Sequence, residues 1–164
     1  MTGGARMRWS ADPALLREPV HLVAFGFGAG LMPRAPGTFG TLVAVPLVLF
    51  VMQFGYAVHL AVALVFAFAG VYLCGESARR LGVHDHPGIV WDEITGYTVT
   101  MLAAPASLGW LVAGFVLFRL LDIVKPWPIR EADHSLRGGL GIMLDDIIAG
   151  VIAAAILHAV KLLL

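Results

Sequence analysis

The sequence predicts an all-α fold: a polytopic membrane helical bundle with short or broken helices and an active site on its cytoplasmic face. Three observations carry this. Hydrophobic residues make up 59% of the 164-residue chain and charged residues only 13%, with a mean hydropathy of +0.86, well above a soluble domain. The apolar residues gather in long runs, 57–74, 94–121 and 147–164, which proline and glycine interrupt or bound. Pairs of acids stand at the heads of two such runs, where a carboxylate is costly unless it pairs, binds a metal or reaches water.

Composition also excludes some functions. The formal net charge is zero, so no bulk field points to nucleic acid. The one cysteine, Cys74, lies in an apolar run, which rules out a disulfide framework and a cysteine zinc site and leaves a small buried hydrophobe.

In chain order, residues 1–20 read as a mobile cytoplasmic lead-in, because its arginines are followed by no small-residue cleavage site. Residues 21–164 read as one domain, without repeat, linker or low-complexity segment. His21–Met32 is apolar, glycine-rich and too short to span, so a short helix or re-entrant approach is expected. In Pro33–Gly40 two prolines and two glycines forbid a regular helix, and Thr38 is placed to cap the next one. That helix is expected over Thr41–Gln53, kinked at Pro46, and a second over Ala57–Cys74 after a turn at Phe54–Gly55. Arg6, Arg8, Arg17 and Arg34 precede this hairpin and Arg79 and Arg80 follow it, which puts both its outer ends in the cytoplasm.

The second acid pair, Asp92–Glu93, heads the run that ends at Leu121. A turn near Ala104–Ser107 would fold this run into a hairpin with short arms and keep every charge on the cytoplasmic face. Pro126 and Pro128 end its second arm, and Trp127 suits a membrane interface. After a polar segment, Gly138–Gly141 leads into the last helix with Asp145 and Asp146 at its mouth.

The predicted cytoplasmic face thus collects Asp85, Asp92, Glu93, Asp122, Asp133, Asp145 and Asp146, with Arg34, Arg119, Lys125, His84 and His86. Several carboxylates without thiolates suit a hard cation such as Mg2+, which keeps waters for a phosphate to displace. Arginine and lysine beside them suit the phosphate itself. Adjacent helical residues point about 100 degrees apart, so Asp145 and Asp146 should not share one role. Arg119, Asp122 and Lys125 recur every three residues, either around a phosphate or as plain intrahelical ion pairs. Free N–H groups at the helix start after Pro36 offer an anion site or only a structural turn. His84 and His86, flanking Asp85, read as proton-transfer groups or as a solvated loop, whereas His59 and His158 read as packed against neighbours or lipid headgroups.

Four ordered motifs over roughly His21–His158 resemble the phosphatidylglycerophosphatase A family. They are Gly26–Phe27–Gly28–Ala29–Gly30 with Pro36–Gly37–Thr38–Phe39–Gly40; Val83–His84–Asp85–His86 with Ile89–Val90–Trp91–Asp92–Glu93; Phe118–Arg119–Leu120–Leu121–Asp122 with Lys125–Pro126–Trp127–Pro128–Ile129; and Gly138–Asp146 with Ala149–Gly150. The resemblance implies a multi-pass bacterial inner-membrane phosphatase that uses Mg2+ to convert phosphatidylglycerophosphate to phosphatidylglycerol and inorganic phosphate. Carried onto this chain, it implies Asp92, Glu93, Asp122, Asp145 and Asp146 as metal ligands, with His84 and Asp85 beside them in the catalytic set. Arg119, Lys125, Gly37, Thr38, Gly40 and Arg34 would then hold the phosphate. The alternative of another class is a small transporter or channel subunit with a cytoplasmic acidic cation site, but its charges should line a path through the bilayer. A phosphatidyl transferase lacks its motif here, a soluble bundle would not be so apolar, and oligomeric state is not legible.

Overall fold

Prolines and glycines decide where the helices start and stop. The computed structural model describes residues 12–84, 86–131, 136 and 138–164, and every regular element among them is helical. Asp12 accepts from the Ala14 N–H at 2.9 Å to cap a 3-10 turn over Pro13–Arg17, and Leu15 and Leu16 of this turn pack against the core. Helix α1 (Pro19–Ala24) follows. A 3-10 stretch over Gly26–Leu31 then turns the chain where Phe27 and Gly28 take positive φ.

Helix α2 (Pro36–Met52) begins earlier than the sequence predicts. Pro36 stands at its first turn, where a missing N–H costs nothing, and Ala35 enters it in the left-handed conformation. Thr38 therefore sits inside the first turn and does not cap the helix. Helix α3 (Tyr56–Leu81) runs past the predicted end at Cys74. Glu76 pairs with both Arg79 and Arg80 at 2.7 Å, which lets the helix continue through its polar end, and Gly82 closes it in the left-handed conformation.

Helices α4 (Trp91–Thr100) and α5 (Leu108–Val124) form the expected hairpin, joined through a 3-10 turn over Met101–Ala103. Helix α6 (Gly138–Leu163) starts well before the apolar run. Asp145 and Asp146 consequently stand about two turns inside it and neither caps it.

Helix α4 is the hub, packed by α2, α3, α5 and α6, and α6 also lies along α3. Small residues permit the close approaches: a Cβ at Gly139 would strike the Val71 carbonyl, and one at Gly150 would stand 2.5 Å from the Gly96 carbonyl oxygen. Polar groups inside the bundle are satisfied locally. Thr95, Thr98 and Thr100 donate to carbonyls four residues back at 2.8, 2.7 and 2.9 Å, and the Tyr97 hydroxyl donates across the hairpin to the Leu111 carbonyl at 3.0 Å.

The outside is apolar instead, with Phe50, Phe68, Leu108 and Leu162 all exposed. Helices α3 and α6, 26 residues each, are long and apolar enough to cross a membrane. Each rises about 39 Å against a hydrocarbon layer of about 30 Å.

Candidate active site

The first turn of α4 is held from two sides. The Val90 N–H donates to the Ala24 carbonyl at 2.9 Å, and the Trp91 indole N–H donates to the Phe66 carbonyl at 3.1 Å. This fixes Asp92 and Glu93, which follow directly, opposite the end of α5 and the second turn of α6. A cavity of about 280 Å³ opens between them, lined by Gly37, His84, Asp92, Glu93, Arg119, Asp122, Lys125, Asp145 and Asp146, among others.

Within it, Asp92, Glu93 and Asp146 each offer an oxygen within 4.8 Å of the others, and so do Asp122, Asp145 and Asp146. Asp146 belongs to both groups. Asp145 instead meets Lys125, with Oδ2 2.6 Å from Nζ. The adjacent acids do have different partners, although both reach the Asp122 group, because carboxyls about 100 degrees apart can still converge beside the helix.

Arg119 Nη1 lies 2.5 Å from Asp122 Oδ2 and 3.5 Å from Glu93 Oε1, so its intrahelical pair is also a link from α5 to α4. Its Nε and Glu93 Oε2 are buried without a hydrogen-bond partner. Such orphaned atoms are rare in a protein interior unless a ligand, ion or water completes them. Asp92 and Glu93 stand outside the two long helices. Burial lifts Asp92 well above the usual carboxylate range, with the Glu93 and Asp146 charges adding to the effect. Burial also pushes Glu93 up to about 7, against the hydrogen bond with Asp92, while Asp122 raises it and Arg119 lowers it.

The remaining expected residues divide. Gly37 is at the cavity, where a Cβ would run into Glu93 Oε1 and come within 3.0 Å of Arg119 Nη1. His84 lines it too and accepts the Gly138 N–H at Nε2, 3.2 Å, which places the proton of a neutral ring on Nδ1. Asp85 and Asp133 lie outside the described residues.

Arg34, Thr38 and Gly40 are not among the lining residues. Arg34 is exposed, Thr38 was carried into the helix by its early start, and a Cβ at Gly40 would stand 2.6 Å from Val90 Cβ, so this glycine serves α2–α4 packing. His86 is likewise structural: it is buried, lies 5.5 Å from the Phe25 ring and accepts the Gly88 N–H at 3.0 Å. Sequence reading missed Gly141 and Ile142 in the wall. Their spacing of four before Asp145 and Asp146 was the available signal.

Comparison with known proteins decides the family. The family model described as phosphatidylglycerophosphatase A matches residues 22–161. The chain belongs to the phosphatidylglycerophosphatase A family. It is 48% identical over 144 residues to phosphatidylglycerophosphatase A of Escherichia coli, covering 87% of this chain and 84% of that one. It is 42% identical over 148 residues to the Haemophilus influenzae protein of the same name, covering 89% and 91%. A Bacteroides thetaiotaomicron relative, provisionally named phosphatidylinositol-3-phosphatase, is 38% identical over 138 residues, covering 79% and 86%. No solved structure matches the chain. As a member of the phosphatidylglycerophosphatase A family the protein is an enzyme, a phosphatase, and the transporter alternative falls away.

Proposed function

We propose that this phosphatase hydrolyses phosphatidylglycerophosphate to phosphatidylglycerol and inorganic phosphate, the last step of phosphatidylglycerol synthesis, with Mg2+. The carrying observation is the convergence of Asp92, Glu93, Asp122, Asp145 and Asp146 on one cavity where, among the described residues, Arg119 and Lys125 are the cations. Fully ionised, these groups sum to five negative and two positive charges, a net of −3. Such an excess of buried negative charge repels a phosphate unless cations offset it.

The all-oxygen donor set and the unpartnered Glu93 Oε2 fit a hard divalent ion. Asp92, Glu93, Asp122, Asp145 and Asp146 would hold it. Bound there, Mg2+ would neutralise phosphate charge and stabilise the charge that develops on the leaving oxygen. The chain's own groups do the rest. Arg119 Nε and the Lys125 ammonium receive phosphoryl oxygens, and Gly37 keeps the start of α2 close enough to enclose them. An oxygen nucleophile bonds to phosphorus, the bond to the glycerol oxygen breaks, and that oxygen takes up a proton to give the alcohol. His84 stands at the cavity wall, where its Nδ1–H can donate a hydrogen bond to that oxygen while solvent supplies the proton.

The same reading places the protein in the bacterial inner membrane as a multi-pass chain, with α3 and α6 crossing and the acid cavity facing the cytoplasm. The arginines around α3 support this orientation. A lipid substrate fits such a site, since its terminal phosphate lies at headgroup level. The test is phosphate release from phosphatidylglycerophosphate by purified protein in detergent, with Mg2+ and with chelator, against phosphatidylinositol 3-phosphate. Release from the first lipid alone, abolished by chelator, is expected. Preference for the inositol lipid would move the substrate, and folded protein that releases nothing would sink the reading.

A further inference from the structure

A second cavity, larger than the one between the acids, lies away from them. About 590 Å³ in volume, it opens where the end of α2, the start of α3, the turn after α4 and the last turns of α6 meet. His158 on its wall is twelve residues beyond Asp146, about 18 Å along the axis of α6. Its polar lining includes Tyr56, His59, His158 and Lys161, and Met52 and Leu102 contribute apolar wall.

Tyr56 and His59 share one face of α3, and His158 and Lys161 share one face of α6, by a spacing of three in each case. His59 is already engaged: its Nε2–H donates at 2.9 Å to the carbonyl of Thr98, which lies in the last turn of α4, where helical carbonyls lack partners. It fixes the floor of the cup. Lys161 and His158 are exposed, and no ion pair among the described residues involves either. Among the described residues, no Asp or Glu lines the cavity. A solvated lysine at a helix end is ordinary, but here it borders a cavity within the size range of small-molecule sites. The cup is cationic, half apolar and at the depth where a helix longer than the hydrocarbon layer reaches headgroups.

We propose that this cup binds the phosphate-bearing headgroup of an anionic phospholipid in the leaflet opposite the acid cavity, an inference that rests on the membrane placement above. Lys161 supplies the charge, and His158 and the Tyr56 hydroxyl supply hydrogen bonds. Met52 and Leu102 meet the glycerol and the first methylenes, which a free phosphate ion would leave uncovered.

The experiment compares the purified full chain with a Lys161→Gln/His158→Gln double variant. Both side chains are exposed, so the variant is expected to fold. Each protein in detergent is mixed with phosphatidylglycerol, phosphatidylcholine or inorganic phosphate, and retained lipid is read by native mass spectrometry. The wild type is expected to hold one more phosphatidylglycerol than the variant, with retention about tenfold weaker after substitution. Phosphatidylcholine, which brings its own cation, is expected to be held equally weakly by both. Equal retention of phosphatidylglycerol by the two proteins overturns the proposal. Displacement of the lipid by millimolar inorganic phosphate also overturns it, by assigning the cup to the free ion. Phosphate release from the same samples separates the two readings: the variant should turn over substrate as the wild type does, and an inactive wild type that still shows the lipid difference refutes the phosphatase reading and leaves the cup.

Discussion

Lys125 Nζ and Asp145 Oδ2 stand 2.6 Å apart across the junction of α5 and α6. Lys125 reaches there because it leaves α5 in the left-handed conformation, φ 44°, which turns its side chain away from the helix it ends. The contact joins the cation proposed to hold the phosphate to an acid proposed to hold the metal. Lys125→Gln should therefore lower phosphate release by roughly 10- to 100-fold, with part of the loss in KM, as expected for removing a positioned charge. Steady-state kinetics in mixed micelles measures it, and unchanged kcat/KM would remove Lys125 from the site.

Asp92 and Asp145 serve different carboxylate groups. Asp92→Asn and Asp145→Asn should each abolish detectable turnover while membrane insertion stays intact, because an amide keeps the shape and loses the charge. A near-normal rate in either variant excludes that residue from the cation set.

Asp146 is common to both groups, whereas Asp92 and Asp122 belong to one each. Asp146→Asn should weaken Mn2+ binding more than Asp92→Asn or Asp122→Asn does. The fraction of bound Mn2+ in a titration followed by electron paramagnetic resonance reports this without any turnover. Equal weakening by all three would contradict the shared position.

Gly37 leaves no room for a side chain between Glu93 and Arg119. Gly37→Ala should cost at least tenfold in turnover by displacing a carboxylate and a guanidinium together. Arg34→Ala and Thr38→Val, at residues away from the cavity, should stay within about twofold of wild type. Parallel assays of the three variants check the contrast, and a large loss at Arg34 would restore it as a phosphate ligand.

The nucleophile is open to a direct test. One turnover in 18O-labelled water puts the label in inorganic phosphate if water attacks phosphorus. A carboxylate that attacks first forms an acyl phosphate, and its hydrolysis at the acyl carbon leaves label in an Asp or Glu peptide. By mass analysis, label in the peptides around Asp92, Asp122 or Asp145 excludes direct attack by water.

Local chemistry made much of this readable in advance. The α4–α5 hairpin was legible because Pro105, Ser107 and Gly109 interrupt an otherwise uncharged run, and the acids were legible because each stands against hydrocarbon. Helix ends were read less well. The start of α2 depends on Pro36 taking the first turn, and the extension of α3 depends on Glu76 binding two arginines. Thr38 and Gly40 matched a motif, but a motif fixes sequence neighbours and leaves open which side of a helix faces the cavity, and Arg34 lies outside the motif and before α2.

The sequence alone determined the fold class, the family and the inventory of acids and cations, because hydropathy and residue type are local properties. Only the tertiary structure decided the assignments within that inventory. Asp146 serves two groups while Asp145 meets Lys125, Gly37 lines the cavity while Gly40 packs on Val90, and His86 is structural. Each outcome depends on how α2, α4, α5 and α6 approach one another. Glycine contacts between backbones set that approach, and the spacing of residues along a single helix does not record it.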